Sequence, residues 1–120
     1  GYEREELAGL YRLARVGLVT PLQDGMNLVA KEYVAAQNPD NPGVLVLSQF
    51  AGAADQMTDA LIINPHDRNA VAEAVRTALN MPLEERQRRW RALYDGICRQ
   101  DINWWREHFL AAFDTTEAGY

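Results

Sequence analysis

Val16-Gly17-Leu18-Val19-Thr20-Pro21-Leu22-Gln23-Asp24-Gly25-Met26-Asn27-Leu28-Val29-Ala30-Lys31-Glu32 reads as a strand, a polar loop and the opening of a helix that carries a carboxylate one turn on. In an open α/β sheet, ligands bind outside the carboxyl ends of the strands, and a helix that starts there offers unpaired N–H groups to an anion. Gly25 lets the backbone come close to a ligand, since no Cβ fills the space. Asp24 and Glu32 can accept hydrogen bonds from hydroxyl groups at the two ends of something whose middle is anionic. Sugar, diphosphate and ribose, in that order, make a nucleotide-sugar. Taken alone, an Asp-Gly pair is more often an ordinary turn or helix cap than a binding site.

Outward from this stretch the chain alternates helix and strand and then turns all helical. Leu7, Leu10, Tyr11 and Ala14 form an apolar stripe at helical spacing that leads into the strand 16–20. The helix after Asn27 ends near Asn38-Pro39-Asp40-Asn41-Pro42-Gly43, a dense turn cluster read as a loop within one domain. Val44 to Ser48 is an apolar run that suits a strand covered on both faces. A short helical piece over Ala51 to Met57 and a third strand, Leu61-Ile62-Ile63, are expected next. Asp67 suits the N-cap of a helix burying Val71, Ala74, Val75, Ala78 and Leu79. Pro82 suits the first turn of another, with Leu83, Trp90, Leu93, Tyr94 and Ile97 on its core face. Asp101 is expected to cap a final helix bearing Ile102, Trp105, Phe109 and Phe113. Three strands joined by helical crossovers imply an α/β unit with a parallel, right-handed, Rossmann-like sheet and helices on both faces.

Composition narrows the function. The chain has 120 residues, 48% of them apolar, enough for one core and too few for two. Its net charge of −5 argues against general nucleic-acid binding, which rests on cation–phosphate contacts. No run approaches the ~18 apolar residues of a membrane span, and the start lacks the pattern of a signal peptide. The single Cys98 can form neither an internal disulfide nor a metal cluster; its spacing from Tyr94 reads as a buried small hydrophobe, and the expected compartment is the cytoplasm. His108 has no second ligand at metal spacing. Arg86, Arg88, Arg89 and Arg91 follow Glu84 and Glu85 and read as a solvated helix face. His66 reads as a loop or capping residue, and Lys31, the one lysine, as structural or surface.

The string from Asp24 to Gln37, then Pro42-Gly43-Val44-Leu45-Val46-Leu47-Ser48-Gln49-Phe50-Ala51-Gly52-Ala53-Ala54, closely resembles the trehalose-6-phosphate synthase family of retaining, two-domain GT-B glycosyltransferases. The likeness continues through Asn64-Pro65-His66-Asp67 to Asp101-Ile102-Asn103-Trp104-Trp105. It implies that residues 1–114 are the C-terminal part of the nucleotide-sugar (donor) binding domain with its terminal helices, and 115–120 a tail. It further implies transfer of glucose from a nucleoside-diphosphate glucose, usually UDP-glucose, to glucose 6-phosphate with retention. Neither a metal nor any other cofactor is expected.

By the same resemblance Asp24 holds the donor glucose hydroxyls. The backbone N–H groups of Gly25, Met26 and Asn27 contact the sugar, and those of Leu28 and Val29 bind the diphosphate. Glu32 accepts from both ribose hydroxyls, and the backbone of Leu7 lies near the nucleobase. The family's leaving-group Arg and Lys, its catalytic His and its acceptor-phosphate residues lie upstream of this stretch, so the chain is expected to hold only the donor half of the site. Expressed alone it should transfer no glucose. Gln23, where many relatives carry Arg, bears on nucleotide preference. The expected partners are UDP-glucose, glucose 6-phosphate and a missing N-terminal domain, with no nucleic acid and no membrane, and with room for a homo-oligomer. A transferase with another acceptor, such as glucosylglycerol-phosphate synthase or a pseudo-glycosyltransferase, fits the same residues, as does a non-catalytic nucleotide-sugar-binding module.

Overall fold

The structure, a computed structural model, describes residues 4–20, 27–52 and 54–105, with side chains described over 6–20, 28–52 and 54–99. Among them are seven elements: helix α1 (Arg4–Leu13), strand β1 (Val16–Val19), helix α2 (Asn27–Ala36), strands β2 (Val44–Ser48) and β3 (Leu61–Ile63), and helices α3 (Arg68–Asn80) and α4 (Leu83–Trp105). The strands form one parallel sheet in the order β1-β2-β3. Val16 pairs with Val44 and Val19 with Leu47; Val46 pairs with Leu61 and Ser48 with Ile63. The expected α/β class, strand number and parallel pairing all hold.

Side-chain alternation sends the two faces of the sheet into separate cores. Val44, Val46 and Ile63 meet Ala78 and Met81 of the α3 layer, with Val16, Leu61, Val71 and Ala74 around them. Leu45, Leu47 and Val19 meet Ala8 of α1, Ala30, Tyr33 and Val34 of α2, and Trp90, Leu93 and Ile97 of α4. Helices therefore cover both faces, and β2, central, is buried along its whole length. Each of its large apolar side chains contributes about 1.5–3 kcal/mol relative to an exposed position.

Local chemistry sets the ends of the elements. Asn38 Oδ1 accepts from the Asp40 N–H at 2.9 Å, and the Asn41 N–H reaches Asn38 O at 3.0 Å, so the polar cluster after α2 forms the expected turn. Asp67 caps α3, its Oδ1 accepting from the Ala70 N–H at 3.0 Å. Glu84 and Glu85 stand in the first turn of α4, where they complement the helix dipole.

Several expectations fail for identifiable reasons. Residues 51–52 and 54–56 lie in turns and a bend, with Ala51 N–H on Ser48 O and Ala54 N–H on Ala51 O, in place of the expected short helix. Helix α4 runs through Asp101 to Trp105 without a break, so Asp101 does not start a new helix. On α1, among the described side chains, Ala8 is buried while Leu10 is exposed; Leu79 and Leu83 are exposed as well. Cys98 is half-buried.

Arg86 departs most from the solvated-face reading. It is buried, with Nη1 donating to Asn41 Oδ1 at 2.7 Å and to Pro42 O at 2.8 Å, and Nε to Met81 O at 3.1 Å. The guanidinium thus supplies donors to the carbonyls of a proline-rich loop that has few N–H groups of its own. Burial first, and then the charge of Arg15, lower its pKa from the ordinary arginine value. Arg88 and Arg91 do lie toward solvent, while Arg89 is half-buried. Arg89 binds Glu85 at 3.0 Å and Asp59 O at 2.9 Å, Arg88 is exposed near Asp59, and Arg91 stacks over Trp90 at 4.9 Å.

Tyr33 lies under the sheet at the two points where glycine leaves room. A Cβ on Gly17 would come within 2.7 Å of its ring, and one on Gly43 would meet its hydroxyl. Its Oη donates to Ala14 O at 2.7 Å. Burial raises the phenol pKa well above its ordinary value of 10.0, only partly offset by Arg15. Above pH 10 the unfolded chain loses this proton more readily than the folded one, so folding stability contributed by the neutral phenol is complete below that pH and declines as pH rises further. Tyr33→Phe should therefore flatten the fall in stability above pH 10, measured by urea unfolding at stepped pH. An unchanged slope would count against a buried neutral phenol.

Candidate functional site

The expected donor site draws on α1, the loop after β1 and α2. Parallel order puts the carboxyl end of β1 beside that of β2, and α2 begins beyond the β1 end, so its first turn stands at the ligand-binding edge of the sheet. Asp24, Gly25 and Met26 lie outside the described residues, and of Asn27 only the helical backbone is described. Leu28, in the first turn of α2, is exposed; Val29 is half-buried against the core formed by α1, α2 and α4. Glu32 is on the same helix one turn further and is 7% exposed, which is low for a carboxylate and means its surroundings are built around it.

Leu7 is half-buried on α1, which packs on α2. The rings of Tyr11 and Tyr33 meet edge to face at 6.3 Å across this helix pair. Burial and then the charge of Glu32 raise the Tyr11 pKa, so the Glu32 carboxylate acts toward α1. Of the expected residues, the fold thus brings Leu7, Leu28, Val29 and Glu32 onto two packed helices. His66 sits in the loop after β3, as its loop reading expects, with its N–H on Asn64 Oδ1 at 3.0 Å and its ring 5.8 Å from Phe50.

Residues that hold these helices together carried no signal on their own. Gln37, one position past α2, is buried, and its amide satisfies three backbone groups. Its Nε2 donates to Tyr11 O at 2.8 Å and to Tyr33 O at 2.9 Å, and Oε1 accepts from the Gly43 N–H at 2.9 Å. Trp90 Nε1 donates to Val34 O at 2.8 Å and ties α4 to the same end of α2. A Gln just ahead of a turn cluster is unremarkable in sequence; only its contacts at long range single it out. Among the described residues no helix is long and apolar enough to cross a membrane.

This arrangement is shared with proteins of known kind. The trehalose-6-phosphate synthase of Sinorhizobium fredii is 60% identical over 107 residues, which are 89% of this chain and 23% of that protein. That of Salmonella typhimurium is 60% identical over 109 residues, 91% of this chain and 23% of the relative. A solved E. coli structure bound with UDP-2-fluoro glucose superposes with a TM-score of 0.83 at 58% identity, over 92% of this chain and 25% of that one. The UDP-forming alpha,alpha-trehalose-phosphate synthase of Burkholderia xenovorans, solved in complex with glucose-6-phosphate, gives 0.83 at 56% identity, over 93% and 24%. The chain spans about a quarter of the length of these relatives. The family model described as glycosyltransferase family 20 matches residues 2–115, nearly the whole sequence, and the chain belongs to glycosyltransferase family 20.

Proposed function

We propose that this chain forms the donor-binding portion of an alpha,alpha-trehalose-phosphate synthase, which moves glucose from UDP-glucose to the anomeric oxygen of glucose 6-phosphate with retention. The observation that carries the reading is a buried carboxylate, Glu32, one turn into a helix that opens at the carboxyl end of a parallel strand. Solved relatives support the two substrates, since one holds UDP-2-fluoro glucose and another glucose-6-phosphate.

In this reading Glu32 accepts from the ribose hydroxyls, and the N–H groups of Leu28 and Val29 meet the diphosphate where the helix dipole favours negative charge. Asp24 and the backbone of Gly25, Met26 and Asn27 hold the glucose, and Leu7 borders the base. The C1–O bond to the diphosphate breaks as the acceptor hydroxyl bonds to C1 from the same face, and the departing phosphate oxygen takes the acceptor proton. Charge that gathers on the diphosphate is answered by an Arg and a Lys from the remainder of the longer protein, without a metal. The acceptor also binds there, in a cytoplasmic enzyme.

The test is Glu32→Ala in the full-length protein. Donor affinity should fall by about 1.5–3 kcal/mol, the worth of two hydroxyl bonds to a carboxylate. A 2′-deoxyribose donor should lose part of that with the wild type and little more with the variant. Equal sensitivity of both proteins to the missing hydroxyl would remove Glu32 from the ribose.

A further inference from the structure

The two helices assigned to the nucleotide touch it through different groups: α1 at the base through Leu7, α2 at the ribose and diphosphate through Glu32, Leu28 and Val29. Their separation must match the ligand, and it is held far from the ligand. At and just past the C-terminal end of α1, Tyr11 O accepts from Gln37 Nε2 at 2.8 Å as well as from the Ala14 N–H at 3.2 Å, and Ala14 O accepts from Tyr33 Oη at 2.7 Å, so both carbonyls are tied to residues at the far end of α2. Carbonyls in the last turn of a helix and just beyond it lack full helical partners, so they can accept from an outside donor. Gln37 uses its second amide atom on the Gly43 N–H, which anchors the pair to the start of β2. Amide orientation is fixed by this set, because two carbonyls require the nitrogen and an N–H requires the oxygen.

We infer that Gln37 is a positioning residue for the donor nucleotide, whose buried amide, with the Tyr33 hydroxyl, holds α1 against α2 and so sets the distance between the base-side and ribose-side contacts. The inference rests on the donor-site reading above. Leverage makes it effective. Nine residues separate Gln37 from Leu28, about 13 Å at 1.5 Å per residue, so a tilt of about 5° at the clamp moves the helix start by ~1 Å. A misplacement of that size is enough to spoil a site built on several simultaneous contacts. Among the described residues, Gln37 alone joins Tyr11 of α1, Tyr33 of α2 and Gly43 of the loop before β2 through one amide.

The test compares Gln37→Glu, Tyr33→Phe and Glu32→Ala in the full-length enzyme, assayed well below each unfolding midpoint. Gln37→Glu keeps size and the acceptor for Gly43 but turns a carboxylate oxygen toward the two carbonyls. The KM for UDP-glucose and the Kd for UDP should rise about three- to tenfold, the span of one or two buried hydrogen bonds, while the KM for glucose 6-phosphate stays within about twofold. Tyr33→Phe, which removes only the Ala14 link, should raise the same constants less, and it carries the test if Gln37→Glu does not fold. A lower unfolding midpoint with an unchanged donor KM in the folded enzyme would make the clamp purely structural and overturn the inference. A parallel rise of both KM values would do the same. If Glu32→Ala leaves donor affinity intact, the donor-site reading itself has failed and this inference falls with it, an outcome told apart by that variant alone.

Discussion

Gly43→Ala is expected to destabilise the fold by about 3 kcal/mol, near the upper end of overpacking substitutions. The added Cβ would stand 2.6 Å from Arg15 O and 2.7 Å from Ala14 O, and against the Tyr33 hydroxyl. None of these can withdraw cheaply. Arg15 O accepts from the Val44 N–H at 2.9 Å, Ala14 O accepts from Tyr33 at 2.7 Å, and the Gly43 N–H is itself on Gln37. Relief in any direction breaks a buried hydrogen bond, at about 1–3 kcal/mol for a group left unsatisfied. Gly96→Ala is the matched opposite. Its Cβ would find only Arg99 Nη2, at 3.8 Å, inside helix α4, so the exchange should stabilise by about 0.5–1 kcal/mol through helix propensity. Urea unfolding of the two variants beside the wild type reads both signs in one experiment. A Gly43→Ala midpoint equal to the wild type would mean the α1–β2 junction yields far more easily than its hydrogen bonds imply.

What could be read from sequence, and what could not, divides by range. The strands β1, β2 and β3 and the limits of α2 were legible because each is an apolar run bounded by residues with fixed turn chemistry, Asn38 and the two prolines above all. Parallel pairing of β1 with β2 followed from the helical crossover through α2, whereas β2 and β3 pair in parallel across a connection of turns. Arg86 was not legible, because its partners Asn41 and Pro42 lie 45 and 44 positions away, and charge pattern alone places such an arginine in water. Leu10, Leu79 and Leu83 read as core by spacing but stand at the margins of their apolar stripes, where a shift in helix orientation decides burial. The run past Asp101 shows propensity overridden, since a residue suited to capping sits inside a continuous helix. At the site, the residue types of Glu32 and Leu7 were legible, but the packing of their two helices was not, nor was Gln37, which acts only through tertiary contacts. Asp24, Gly25 and Met26 lie outside the described residues, so their roles rest on the family resemblance.

Asp24→Asn in the full-length enzyme is expected to lower turnover by about 10²-fold while leaving the unfolding midpoint and the affinity for UDP close to those of the wild type. The substitution keeps the size of the side chain and its ability to form turns, and removes only the charge. A carboxylate accepts from two sugar hydroxyls at once, whereas the amide must turn an N–H₂ toward one of them, so the reacting glucose loses its alignment with the acceptor. UDP lacks that sugar and, in this reading, is held by Leu28, Val29 and Glu32, so its binding should not register the change. The rival role for Asp24, capping α2, predicts the reverse pattern. Loss of a cap costs only about 1 kcal/mol and would appear in the midpoint, with normal activity per folded molecule. Unfolding curves and single-turnover rates on the same preparation separate the two. A variant with a lowered midpoint and wild-type turnover would assign Asp24 to the fold; one with an intact midpoint and little turnover would assign it to the sugar.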